Sequence, residues 1–131
     1  MRILLDTSSI LHMISQKKDI ISALEDYNDA KNEYYITSSV IEELTGKTKG
    51  NTITANNAKT SLGIIVGLIE QKRLKRIVEP PSQELSVDDM LIRKAMGMDA
   101  VILTQDKELK RKAKSMGVGT ITYKKRGVIG D

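Results

Sequence analysis

The sequence predicts an α/β fold built on a largely parallel sheet, and three observations predict it. Strand-like and helix-like segments alternate along the whole chain. The run Ala100–Leu103 is apolar on consecutive residues, as in a central strand covered on both faces. At 131 residues, with neither an internal repeat nor a linker, the chain reads as a single domain, residues 1–131.

Taken in order, Arg2 to Leu5 is a short apolar strand, and Asp6-Thr7-Ser8-Ser9 carries turn and N-cap chemistry. Ile10 to Ile14 makes one or two helical turns. Asp19 to Tyr27 places Ile20, Ile21, Leu24 and Tyr27 at amphipathic spacing, and Asn28 to Asn32 ends that helix. Tyr34 to Thr37 favours a strand. Ser39 with Glu42 forms a capping box, so a helix starts there and runs to about Gly46. Lys47 to Thr54 is a polar loop. Ala55 to Lys72 is the longest helical pattern, amphipathic through Leu62, Ile65, Val66 and Ile69. Leu74 to Val78 reads as a short strand that Pro80-Pro81 cannot extend. A helix opened by Asp88-Asp89 follows, then the Ala100–Thr104 strand, a helix from about Lys107 to Met116, and a strand from Thr120 to Tyr123. Gly97, Gly117 and Gly119 read as turn residues, because no phosphate-loop spacing accompanies them.

Composition narrows the function. Hydrophobic residues at 40% and charged residues at 29% fit a globular chain, and with 3% aromatics the core must come from aliphatic side chains, Met and Ala. No apolar run approaches the roughly 18–20 residues of a membrane span, so no membrane partner is expected. The run Ile3–Leu5 before Asp6 is too short for a signal peptide, so a cytoplasmic location is expected. Absence of cysteine removes disulfides and thiolate metal sites. The net charge of +4 is concentrated. Lys107, Lys110, Arg111, Lys112 and Lys114 share one helix, Lys124 to Arg126 follow, and Lys72, Arg73, Lys75 and Arg76 form a second group. Such clusters are solvated faces or phosphate-binding surfaces.

The carboxylates sort differently. In open parallel sheets, sites form outside the carboxyl ends of strands. Asp6 follows the first strand, Asp106 follows the central one, Glu43 lies one turn into the helix after the second, and Asp88 and Asp89 open a helix. Each alone is explained by capping, helix surface or the helix dipole. Together at one sheet edge they would raise each other's pKa unless a cation intervenes. An all-oxygen set selects Mg²⁺ or Mn²⁺ over Zn²⁺, and such ions assist phosphodiester hydrolysis. Asp88 shares a helix face with Leu91, Ile92 and Ala95, whereas Asp89 sits near Arg93 and Met96, so Asp88 is preferred as ligand. His12, the single histidine, reads as a surface or partly packed residue.

The segments ILLDTSSIL, ITSSVIEEL, DDMLIRKA and AVILTQDKEL together resemble a PIN domain over nearly the whole chain. Residue by residue, the family's acidic positions fall on Asp6, Glu43, Asp88 and Asp106, with Thr104 as a supporting hydroxyl. The resemblance implies a three-layer αβα sandwich. It also implies a Mg²⁺- or Mn²⁺-dependent ribonuclease that acts on RNA and is often a homodimer. Two branches fit: VapC-type toxins, held by an antitoxin partner, and small nucleases of ribosome biogenesis, which the DKELKRKAKSMGVGTITY segment resembles more. The alternatives are a catalytically inactive PIN-like module binding RNA or protein, and a phosphoryl-accepting receiver domain. The receiver would want its acidic pair after the first strand, and here Asp88-Asp89 opens a helix. A haloacid-dehalogenase-type phosphatase would need Asp-x-Asp where the chain has Asp6-Thr7-Ser8.

Overall fold

A computed structural model of the chain describes residues 1–17, 19–25, 31–80, 82–124 and 127–131. Strand β1 (Arg2–Leu5) leads into helices α1 (Thr7–Ser15) and α2 (Ile20–Glu25), and β2 (Glu33–Thr37) into α3 (Ser38–Gly46) and α4 (Ile53–Glu70). After β3 (Lys75–Ile77) come α5 (Val87–Met98), β4 (Val101–Leu103), α6 (Lys107–Ser115), β5 (Thr120–Lys124) and β6 (Gly127–Gly130). The sheet order is β3-β2-β1-β4-β5-β6. Every pairing is parallel except that of β6, which runs antiparallel to β5.

This order positions the site. From β1 the chain winds outward through β2 to β3, then returns to the middle and winds the other way through β4 and β5. Because crossovers keep one hand, reversing direction moves the helices to the other face. Helices α1, α3 and α4 accordingly pack on one another, while α5 lies against β1 and β4 and α6 against β5. The result is the three-layer αβα sandwich. Its core follows from coverage on both sides: Ile3, Leu4, Leu5, Ile36, Ile102 and Leu103 have no exposed surface. Among the described residues no helix is long and apolar enough to cross a membrane.

Several local expectations change. Helix α1 starts at Thr7, directly after β1, and buries Thr7, Ser9, Ile10 and Met13. Thr37, not Ser39, caps α3, its hydroxyl accepting from Val40 N–H at 3.3 Å. Ser39 lies one residue inside, with its hydroxyl 4.0 Å from Met90 Sδ. Helix α4 begins at Ile53 with Thr52 as cap, and its buried stripe is Ala55, Ala58, Ser61 and Ile65, so α1 and α3 approach closely. Val66, expected on that face, is 54% exposed. Strand β6 carries no alternating pattern in the sequence and was not anticipated. The expected helix end at Tyr27, and Pro81, Lys125 and Arg126, lie outside the described residues.

Gly97 lies within α5 rather than in a turn. The left-handed position after that helix belongs to Asp99, with φ 54° and ψ 50°. A Cβ is disfavoured there, and glycine is the usual occupant. Asp99→Gly is expected to stabilise the chain by about 0.5–1 kcal/mol, read as a higher denaturation midpoint with an unchanged slope.

Candidate active site

Neighbouring strands β1 and β4 are where the winding reverses, and the crevice outside their carboxyl ends is the place such sheets reserve for ligands. Asp6 emerges there from β1, its backbone N–H donating to Leu103 O at 3.0 Å, so the ends of the two strands are tied together. It occupies the cap position of α1, yet its side chain makes no cap hydrogen bond. Instead Oδ2 accepts from Ser8 Oγ at 2.7 Å and from Thr104 Oγ1 at 2.8 Å. The residue is only 5% exposed. Burial pushes its carboxyl above the usual range, against bonds from Ser8, Thr104 and the Thr7 backbone, and the charge of Glu43 pushes the same way.

The Thr104-Gln105-Asp106 turn is locked from three sides. Thr104 Oγ1 also accepts from Asp106 N–H at 3.0 Å, and Ser8 Oγ accepts from Gln105 N–H at 3.1 Å. The Gln105 side chain reaches across to β5, donating through Nε2 to Tyr123 O at 2.8 Å and accepting Tyr123 N–H on Oε1 at 2.9 Å. Asp106 caps α6: its Oδ1 accepts from Glu108 and Leu109 N–H at 2.9 and 3.3 Å, which leaves Oδ2 uncommitted among the described residues.

Asp88 lies in the first turn of α5 and is half-buried, on the side of the helix that buries Leu91, Ile92 and Ala95. Burial raises its pKa first, then the charges of Asp6 and Asp106, with a contribution from Glu43, while Lys112 opposes them. Glu43 on α3 therefore acts on Asp6 at the end of β1, and Asp6, Glu43 and Asp106 beyond β4 all act on Asp88 of α5. Asp89 is half-buried beside Asp88.

Among the described residues no three Asp, Glu or His side chains stand close enough to share one ion as they lie. The set is gathered as interacting charges around a cleft rather than closed into a coordination shell. Its chemistry nonetheless suits a hard divalent cation: every donor is carboxylate oxygen, and the charge of Lys112 only partly offsets the acidic groups around Asp88.

The basic residues divide. Lys112 is half-buried and its charge acts on Asp88, whereas Lys110 pairs with Asp131 at 3.5 Å and Arg111 pairs with Glu108. Lys107 and Lys114 are exposed. The Lys72–Arg76 group precedes or opens β3, at the amino end of the parallel strands and away from the carboxylates. There Arg73 meets Glu25 at 3.9 Å and Lys75 lies over the Tyr35 ring. His12 packs edge-on against Tyr123 at 5.8 Å. Ser8 is the supporting residue that sequence reasoning left as mere turn chemistry. Its position two residues after an aspartate that ends a strand was the available signal, since Ser at that offset can reach back to the carboxylate.

Compared with known proteins, residues 3–124 match the family model described as PIN domain. No curated protein matches the chain by sequence. Among solved structures, the chain is similar to the PIN domain endonuclease Utp24, with 20% identity, a TM-score of 0.78, and 99% of this chain and 90% of that chain covered. It is also similar to a domain of a functionally unknown protein from Methanocaldococcus jannaschii, at 14% identity and a TM-score of 0.67 over 94% of this chain and 91% of that one. VapBC-1 from nontypeable Haemophilus influenzae aligns at 16% identity with a TM-score of 0.57, covering 88% and 94%.

Proposed function

Because this chain belongs to the PIN domain family, we propose that it is a metal-dependent endoribonuclease whose reaction centre is Asp6, Glu43, Asp88 and Asp106. What carries the reading is the buried Asp6 carboxylate at the switch point of the sheet, tied through Thr104 to the turn that holds Asp106, with Asp6, Asp106 and Glu43 all repelling the charge on Asp88. Mutual repulsion of that kind is a standing cost unless the cluster serves a cation. The four would hold Mg²⁺ or Mn²⁺. When bound, such an ion acidifies a water and offsets charge building on the phosphodiester.

The protein's own groups do the rest. Ser8 and Thr104 fix the Asp6 carboxylate through two hydroxyl donors, and the locked turn fixes Asp106 relative to it. Lys112 supplies positive charge at the crevice for a phosphate. The likeness to Utp24 supports an RNA-processing role, and the likeness to VapBC-1 supports an antitoxin-controlled toxin. The basic helix that follows Thr104-Gln105-Asp106 favours the first. Action in the cytoplasm and a homodimer belong to the same reading. Light scattering checks the latter, and a mass of one chain, 14.6 kDa, would remove it.

The deciding experiment is cleavage of a structured RNA by the wild type and Asp106→Asn, each with Mn²⁺, Mg²⁺ or EDTA. Cutting that requires metal and drops by ~10²-fold or more in the variant is expected. Cutting that persists in EDTA would overturn the metal dependence. A wild type that binds RNA but never cuts it would favour the inactive binding module.

A further inference from the structure

Helix α6 starts in the crevice and leaves it. Its first residue, Lys107, follows the cap Asp106, and its last turn leads through Met116 to the amino end of β5. Its 9 residues give a length of about 13 Å. Leu109 and Ala113 are buried against the fold. Lys107, Arg111 and Lys114 recur at i, i+4 and i+7, so they stand in one row along the helix, and all of them are exposed. At the foot of that row lies a cavity of about 600 Å³, walled by Lys110, Arg111, Lys114, Gly117, Thr120 and Asp131. The carboxylate in this wall is already engaged. Asp131 Oδ2 accepts from the Thr120 and Thr122 hydroxyls at 3.0 and 2.7 Å and meets Lys110 Nζ at 3.5 Å.

The row is costly to the chain on its own. Lys107 repels Lys110 and Arg111, and both repel Lys114, because like charges three or four residues apart are unfavourable on a helix. Glu108 is the one acid within α6, and it pairs with Arg111. Lys107 also occupies the first turn, where the helix dipole opposes a cation, whereas Lys112 and Lys114 in the last turn are favoured by it. A merely solvated face needs no cation at that unfavourable place, next to the reacting turn. The second basic group differs, because local partners are at hand: Arg73 meets Glu25, and Lys75 lies over the Tyr35 ring.

We propose that the row of Lys107, Arg111 and Lys114 is a track for the phosphate backbone of the RNA arm that leaves the crevice, an inference that rests on the nuclease reading of that crevice. Each exposed head group meets a phosphate in turn. Lys107 takes the one beside the reacting centre, and Lys114 takes the one seated at the cavity. Successive cations stand about 5–6 Å apart along the helix axis, and their long side chains adjust that step to the run of the backbone. Contacts of this kind read no base. The track therefore holds an arm of any sequence and adds affinity that falls steeply with salt.

The test measures binding of a fluorescent structured RNA to the full chain in EDTA, across roughly 50–200 mM salt. Combining Lys107→Gln, Arg111→Gln and Lys114→Gln should lower the steepness of log affinity against log salt by about 2. Combining Lys72→Gln, Lys75→Gln and Arg76→Gln, which removes as much charge at the other end of the sheet, should leave the steepness within about 0.5 of the wild type. Without RNA and at low salt, the α6 variant should melt no lower than the wild type, since it sheds the repulsion along the row. An unchanged slope, as an acidic protein partner on this row would give, overturns the track. So does an equal drop from both variants, a lower melting temperature of the α6 variant, or a wild type that leaves the RNA unbound. Cleavage is scored separately. Metal-dependent cutting with an unchanged slope removes the track alone, and a track-dependent slope without cutting removes the nuclease reading alone.

Discussion

Asp6→Asn is expected to lower RNA cleavage by ~10³-fold or more and, in metal-free buffer at pH 7, to raise the melting temperature. The amide has the shape of the carboxylate and keeps an oxygen for Ser8 Oγ and Thr104 Oγ1. What it loses is a negative charge in a position 5% exposed, facing Glu43 and Asp88. The sign on stability follows from linkage. Burial first, and Glu43 as well, hold the Asp6 pKa above its unfolded value, so between those two values the folded chain binds the proton more tightly. Stability from this group is therefore present at low pH and lost as pH rises through the folded pKa. Above the folded pKa the loss is complete, and Asn escapes it. Asp88 shifts in the same direction, through burial and then Asp6 and Asp106. Melting temperatures of wild type and Asp6→Asn should diverge as pH rises through that window and converge as pH falls toward the ordinary carboxylate value of 3.8. Wild-type cleavage by the variant would remove Asp6 from the reaction centre, and a lower melting temperature at every pH would remove the repulsion.

Thr104→Val should cost about 1–3 kcal/mol of stability and lower cleavage by ~10–100-fold, comparable to losing a ligand's supporting hydrogen bond. The side chain is fully buried, and valine fills the same space. The hydroxyl, however, donates to Asp6 Oδ2 and accepts from Asp106 N–H. Its removal leaves a backbone donor unpaired and both acids less well held. Thr104→Ser restores the hydroxyl, so recovery of kcat by serine together with its failure in valine would separate positioning from packing. Denaturant titration gives the stability arm. A valine variant as stable and active as the wild type would contradict the role.

The central strands were legible because burial on both faces writes an uninterrupted apolar run, as at Ile3–Leu5 and Val101–Leu103. Asp6 was legible because it directly follows the first of those runs, and Asp106 because it stands just beyond the second, after Thr104-Gln105. Asp88 was separated from Asp89 by helical phase, and burial of Leu91, Ile92 and Ala95 bears out that phase. The start of α1 was hidden because Asp6-Thr7-Ser8-Ser9 has the composition of a turn, while tertiary contacts bury Thr7 and Ser9 in a helix. Thr37 was hidden as a cap because it also ends a strand. The small-residue stripe of α4 carries too little hydrophobicity to outweigh Val66 in a periodicity argument.

Gln105 has a consequence for how this chain can change over generations. Its amide gives β5 both a donor and an acceptor, so it behaves as one more rung of the sheet after β4 has stopped. The middle position of Thr-Gln-Asp is thus not a silent spacer. Gln105→Glu would set an acceptor against the Tyr123 carbonyl, and a shorter side chain would fall short of it. A lineage can drift through this position only if the end of β5 drifts with it.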